Sequence, residues 1–501
     1  MRGEEADMDF VISLEYKPYV SLYRRLSDAV RKAILEGRLK PGESLPSVRD
    51  LATSLRISRS TVLKSFEDLQ SQGYLEATRG AGTIVSRRLP GDLSEVVFER
   101  EQQLSGKKRS IAYSAYGSRL LRNADIEAAE EHHVPEINYG GPPLNLTPLQ
   151  QWKQLLLSHC RMRDISRLAY SVEPFGYPPL REAIAAFLSR ARAVRCKAEQ
   201  VVVFSGREFR LDIIARILLD PGDCVAVENP GFPSFRHRLA SYGANILPVP
   251  VDRDGLCVDH LAGLERKPKF VCVTPSHHDP TGVVLSMSRR RQLIEWAQRT
   301  GTFIVEDDFD SEYRYGSSPL PALQGLDTTD SVIHMRCFWR ILFPVLRLGI
   351  LVIPESLIHV MTLAKSKVER DLPLLEQFAL TDFINEGHLE RHIRRTQPIY
   401  ARRRQSLIYA FTRYLGKIAS IQPSTTGTDL LVRLDAGRSD DELTRLALAA
   451  QLPMVSTGPY YMDRSVTGEF MVSYGHLDEE AIDASVKKFT SSLESGRKLS
   501  V

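Results

Sequence analysis

Leu22, Leu26, Val30 and Ile34 recur at helical spacing, while Arg24, Arg25, Arg31 and Lys32 fall on the other face; the spacing predicts an amphipathic helix stopped by Gly37 and Pro41-Gly42. Ser47 is placed to cap a second helix, with Asp50 three residues on as a capping-box-like partner. After a short turn through Arg56-Ile57, Ser58 caps a third helix that turns Val62, Phe66 and Leu69 inward. Beyond Gly73, two β-like runs at 74–77 and 83–85 flank Thr78-Arg79-Gly80-Ala81-Gly82, which reads as a hairpin with glycines at its tip. Three helices and a β-wing in one short stretch make a winged helix-turn-helix over 19–87.

Residues 88–134 are charged and poorly patterned, as in a linker with one helical piece. From 135 onward the pattern changes. Apolar, β-branched runs at 200–204, 224–227, 270–273 and 302–305 alternate with long amphipathic stretches. That alternation predicts an α/β domain over 135–495, with a mainly parallel sheet covered by helices on both faces. The chain is therefore α/β multidomain, with a small α+β head.

Charge sharpens the division. The overall net charge is only +4, yet residues 17–88 hold 14 Lys/Arg against 7 Asp/Glu, so the remainder is slightly acidic. A basic head on a near-neutral body suits a module that meets double-stranded DNA. The six cysteines are scattered without metal-ligand spacing, which points to reduced thiols. The N-terminus lacks an apolar signal segment, and no apolar run has the length of a membrane helix, so a cytoplasmic protein is expected.

In the head, Arg59, Ser60, Thr61 and Lys64 open the third helix with donors and cations suited to base edges and phosphates, and Arg49 is placed to reach the backbone. Ser58 combines its capping role with a place at the same helix end. Gly80 and Gly82 allow the wing tip to approach the sugar-phosphate surface, beside Arg79. The string LPSVRDLATSLRISRSTVLKSFEDLQSQGYLEATRGAGTIV resembles the DNA-binding domain of the GntR family along its whole length. That resemblance implies DNA contacts at Arg49, Arg59, Thr61 and Gly82.

The body carries a second series of motifs in order: FGYPPLREAIAAFL, SG at Ser205-Gly206, LLDPGD, ENPGFP, TPSHHDPTG, VEDDFDSEYRY and LRLGILVIP. Together they resemble fold-type I, class I/II aminotransferases that use pyridoxal phosphate, in the version fused behind GntR domains in MocR-type regulators. The resemblance implies a smaller C-terminal α+β subdomain and a homodimer. It places Asp307 at the pyridinium nitrogen, Ser205-Gly206 and Arg347 at the phosphate, and Phe309 where a tyrosine donates to the phenolate oxygen. Phenylalanine has no hydroxyl to donate. Arg207-Glu208-Phe209-Arg210 replace the small and amide side chains expected after the SG turn.

The lysine that forms the internal aldimine is also replaced. In Arg336-Cys337-Phe338-Trp339-Arg340-Ile341-Leu342-Phe343-Pro344-Val345-Leu346-Arg347-Leu348-Gly349, the frame set by Phe338, Pro344 and LRLG puts Arg340 at that position. A guanidinium stays protonated and has no free amine to attack an aldehyde. Trp339 stands where a small serine is expected and would crowd the pocket. No arginine occurs between Gly468 and His476, where the substrate-carboxylate arginine is sought.

Two functions follow. The first is a DNA-binding transcription regulator whose aminotransferase-like domain senses a small-molecule effector, holds a dimer, or does both, without catalysis. The second is an aminotransferase with an appended DNA module, and Phe309, Trp339 and Arg340 together argue against it. Noncovalent pyridoxal phosphate, another anion held by Arg340 and Arg207, or a filled pocket remain open within the first. Arg289-Arg290-Arg291 and Arg402-Arg403-Arg404 read as solvated helix faces, Asp308 and Asp310 as supporting and capping residues rather than metal ligands, and His277-His278 as lining of the cofactor loop.

Overall fold

A computed structural model describes residues 20–78, 82–90, 112–131, 145–161, 173–316, 320–342, 345–462 and 466–497. The chain divides into two compact units, Met1–Ala112 and Tyr113–Val501.

The first unit has helices α1 (Leu22–Leu35), α2 (Val48–Ser54) and α3 (Arg59–Ser71), then strands β1 (Leu75–Thr78) and β2 (Gly82–Val85). Leu26, Val30 and Ile34 of α1 pack with Leu51 of α2 and Val62, Phe66 and Leu69 of α3, all buried as the spacing requires. Leu22 lies outside this core, exposed. The hydroxyls of Ser27 and Ser65 meet at 3.1 Å inside it, pinning α1 to α3. Ser58 Oγ accepts from the Thr61 amide at 3.1 Å, as an N-cap should. Ser47 caps α2 in the same way through the Asp50 amide at 3.2 Å. The capping box does not close, however: the Asp50 carboxylate accepts from the Ser47 hydroxyl at 2.6 Å. Arg56 takes a positive φ of 54° in the turn between α2 and α3. β1 and β2 pair antiparallel with Thr78 opposite Gly82. Arg79 and Gly80, expected at the wing tip, lie outside the described residues.

In the second unit an eight-stranded sheet has the order β3-β10-β9-β8-β7-β4-β5-β6. The strands are β3 (Val201–Phe204), β4 (Cys224–Asn229), β5 (Asn245–Asp252), β6 (Gly255–Leu256), β7 (Phe270–Val273), β8 (Phe303–Asp307), β9 (Val332–Cys337) and β10 (Gly349–Val352). β5, β4, β7, β8 and β9 run parallel, and β10 is antiparallel to both its neighbours. Alternate residues of β3 enter two different cores, Val201 and Val203 on one side, Val202 and Phe204 on the other. Burial on both faces is why these strands read as unbroken apolar runs. A four-stranded antiparallel sheet follows, β11 (Ala419–Ile421), β12 (Asp429–Leu434), β14 (Glu469–Ser473) and β13 (Met454–Ser456), in that order across it. Tyr400, Leu407 and Phe411 of the long helix His388–Leu415 and Ile482, Val486 and Phe489 of the last helix share its core.

Two expectations need correction. The helix Ala115–Glu131 falls within the predicted linker, but it packs on the second unit: Tyr116 lies 5.2 Å from the Tyr242 ring and Arg119 Nε donates to the Ser241 carbonyl at 2.7 Å. Nor are the arginine triplets wholly solvated. Arg290 is fully buried and donates to the carbonyls of Leu285, Pro275 and Pro321 at 2.6–2.9 Å, and Arg403 is buried as well. Runs of charge conceal this, since a guanidinium with enough carbonyl acceptors tolerates burial where its neighbours do not. No described helix is long and apolar enough to cross a membrane.

Candidate functional site

In the first unit, helical geometry gathers Arg59, Ser60 and Lys64 on the exposed side of α3, with Thr61 half-buried beside them. Lys64 Nζ rests 4.4 Å from the centre of the Tyr23 ring. Arg49 is exposed on the first turn of α2. Leu63, half exposed within the same face, was missed by the sequence reading, because periodicity alone does not separate a surface leucine from a core one. Gly82 takes φ +77° with open space where a Cβ would stand, so backbone conformation rather than crowding calls for glycine there.

In the second unit a cavity of about 160 Å³ opens where β7, β8 and β9 end. Ligands in open α/β sheets bind at such carboxyl ends. Strand alternation decides which acids of VEDDFDSEYRY reach it. Glu306 points the other way, receiving His334 Nδ1 at 3.0 Å and the Leu323 amide at 2.8 Å. Asp308 is likewise withdrawn, held by Arg192 at 3.1 Å and Arg336 at 2.7 Å. These two cations hold its carboxyl far below the usual carboxylate range. Asp307, between them, lines the cavity, and burial pushes it up to about 6 despite Arg210 and Arg207 nearby. Phe309, Trp339, Arg340, Phe232, Tyr460 and Asp279 also line it.

Arg340, at the start of the short helix Trp339–Leu342, turns toward the C-terminal subdomain: Nη2 donates to Asp429 Oδ2 at 3.2 Å, and Nε lies 3.8 Å from Asp310 Oδ2. Its guanidinium also lies 5.3 Å from the Trp339 ring and 5.9 Å from Phe309. Arg207 stacks on Trp339 at the same 5.3 Å, so the tryptophan is flanked by two cations. Arg210 Nη1 stands 4.0 Å from Asp307 Oδ1, on the carboxylate that the resemblance assigns to a pyridinium. Asp429 and Arg210 escaped the sequence reading as partners: Asp429 lies 89 residues from Arg340, and Arg210 stood out only as a replacement after the SG turn.

The expected phosphate groups are placed differently. Glu369 accepts from the Ser205 amide at 3.0 Å and from its hydroxyl, and is itself held by Lys365 Nζ at 2.8 Å. Gly206 packs on Gly349, where an added Cβ would lie 2.8 Å from the Gly206 carbonyl oxygen. Arg347 is exposed, because its neighbours Leu346 and Leu348 turn inward. None of Ser205, Gly206 and Arg347 lines the cavity. His277 and His278 are buried behind it, bonded at 2.7 Å to Thr426 and Thr281, and burial lowers them to about 4 and about 3. The residues present do not fit the coenzyme. Among the described residues of the cavity there is no lysine, no hydroxyl on Phe309, and the Ser205 donors are engaged by a carboxylate.

A winged helix-turn-helix joined to a fold-type I aminotransferase-like body defines a class of regulator. The chain belongs to it: residues 22–85 match the bacterial regulatory proteins of the gntR family, and residues 139–488 match aminotransferase class I and II. It is a DNA-binding transcription regulator of the MocR type. It is 35% identical to the probable rhizopine catabolism regulatory protein MocR of Rhizobium meliloti, over 85% of each chain. Identity is 30% with the HTH-type transcriptional regulator TauR of Rhodobacter capsulatus, over 94% of this chain and 96% of that one. It is 27% with the pyridoxine biosynthesis regulator PdxR of Corynebacterium glutamicum, over 95% and 96%. Among solved structures, LysN, the alpha-aminoadipate aminotransferase of Thermus thermophilus, shares the fold at TM-score 0.68 and 24% identity, over 77% of this chain and 98% of that one.

Proposed function

We propose that the aminotransferase-like body of this regulator has given up transamination and serves as a ligand-sensing and dimerising platform for the DNA-binding head. The observation that carries this reading is Arg340, a permanently charged guanidinium engaged with Asp429 at the position where transamination needs a neutral amine. The head contacts DNA through Arg59, Ser60, Thr61 and Lys64, with Ser58 holding the helix end and Arg49 and the wing (Arg79, Gly80, Gly82) on the flanking backbone. A homodimer presents two such heads to paired half-sites. The protein works in the cytoplasm, where its scattered cysteines stay reduced. Its relatives are named for rhizopine catabolism and pyridoxine biosynthesis, which supports a small molecule as effector.

The test is spectroscopic. Full-length protein incubated with pyridoxal phosphate gives no visible-edge aldimine band and no lysine adduct after borohydride reduction. A trapped lysine adduct overturns the reading.

A further inference from the structure

The exposed face of α3 joins two kinds of chemistry. Arg59 and Ser60 open the helix, and Leu63, four and three residues on, stands one turn further along the same face. Its side chain is half exposed and lies outside the core that Val62, Phe66 and Leu69 enter. It is the one exposed large apolar side chain on α3; Leu22 and Leu35, the others described in this unit, lie at the two ends of α1. The polar groups beside it are held locally. The hydroxyls of Ser60 and Thr61 meet Ser58 Oγ at 2.9 and 2.7 Å, and Lys64 Nζ rests on the Tyr23 ring. Glu67, exposed one turn beyond Leu63, carries a charge that phosphates repel, so the stretch of α3 suited to DNA ends near Leu63 and Lys64.

We propose that Leu63 reads a thymine, packing its side chain against the C5-methyl group of one base in the major groove. The assignment rests on the reading that α3 enters that groove. Base edges present donors and acceptors there, which suit arginine, serine and lysine; the thymine methyl is the only apolar group among them. A leucine set against any other edge strips water from donors and acceptors whose hydrogen bonds it has no means to replace. Set against the methyl, it removes two apolar surfaces from water at once. The setting of the side chain favours a base over a protein partner. A single leucine among Arg59, Ser60 and Lys64 makes no contiguous apolar patch, while the cations around it match a phosphate-lined groove. Arg59 then supplies the polar part of the readout and Leu63 the apolar part, from successive turns of one helix.

Deoxyuridine pairs as thymidine does and lacks only the C5-methyl group. Single thymidine-to-deoxyuridine replacements in the duplex that the full-length protein selects therefore test the proposal, with affinities compared at one salt concentration. At one thymine of the half-site the replacement weakens binding about fourfold, the transfer of roughly one methyl group. Leu63→Ala binds the thymine and uracil duplexes equally at that position while its circular dichroism stays unchanged. Leu63→Gln, of similar length with a polar end, shows the same loss of discrimination if Leu63→Ala does not fold. A selected motif without thymine, affinity indifferent to every replacement, or a thymine preference that the folded variant retains overturns the proposal and leaves α3 in the groove. Selection of the same motif by folded Arg59→Ala overturns that underlying reading instead.

Discussion

By motif position, residue 340 puts a charge where the chemistry of the fold calls for a nucleophile, and residue 279 puts one beside other carboxylates. The two act oppositely on the stability of the fold. Arg340 is matched by Asp429 and Asp310. Asp279 is desolvated, with Asp429, Asp307 and Asp310 repelling its charge and Arg340 favouring it. Its folded pKa, about 7, lies above the ordinary aspartate value, so the unfolded chain releases this proton first as pH rises. The carboxyl therefore favours the fold at acid pH, and that contribution is lost as pH climbs toward about 7. An amide in its place does not titrate. Asp279→Asn is expected to raise the melting temperature relative to the parent at about pH 8 and to have a much smaller effect at about pH 4. Differential scanning calorimetry at the two pH values measures the difference; an equal shift at both means that Asp279 is not held in a charge-averse site.

At the scale of elements, two helices carry separate expectations. Lys64 lies on the exposed face of α3, where a phosphate contact adds affinity without sequence preference. Lys64→Ala should lower DNA affinity nearly uniformly across sequences and reduce the slope of log affinity against log salt by about 1. An unchanged slope removes Lys64 from the phosphate contacts. In the helix Met287–Thr300, Arg290 ties three carbonyls from two neighbouring segments and its own N-terminal turn. Arg290→Met removes the guanidinium donor from the Leu285 and Pro321 carbonyls, leaves Pro275 only the Leu285 amide, and should cost on the order of 3 kcal/mol in chemical denaturation. The neighbouring Arg291→Met, on an exposed position of that helix, should cost well under ~1 kcal/mol.

For the molecule as a whole, local signals were the legible ones. Caps at Ser47 and Ser58, the inward faces of α1 and α3, and the apolar runs of β3, β4, β7 and β8 are written in short-range pattern, and the elements appear within a residue or two of the expected limits. Asp307, Phe309 and Arg340 came from motif position, and the fold brings all three to one cavity. What stayed hidden was long-range or geometric: Glu369 on Ser205, Asp429 on Arg340, the burial of Arg290 inside a basic run, and the outward turn of Arg347 between two buried leucines. Each depends on where a second segment lands, which no local pattern encodes. Ser205, Gly206 and Arg347 were assigned to a phosphate by motif alone, and they lie outside the cavity that the other three share.

The two units stand on separate hydrophobic cores, so DNA recognition is expected to need neither transamination chemistry nor its coenzyme. Selection of binding sites from a random duplex library by full-length protein, without added pyridoxal phosphate, tests this most directly. The parent protein is predicted to enrich one defined motif, and Arg59→Ala, with an unaltered circular dichroism spectrum, to enrich none. Enrichment of the same motif by folded Arg59→Ala, or enrichment by the parent only when pyridoxal phosphate is added, would contradict the account.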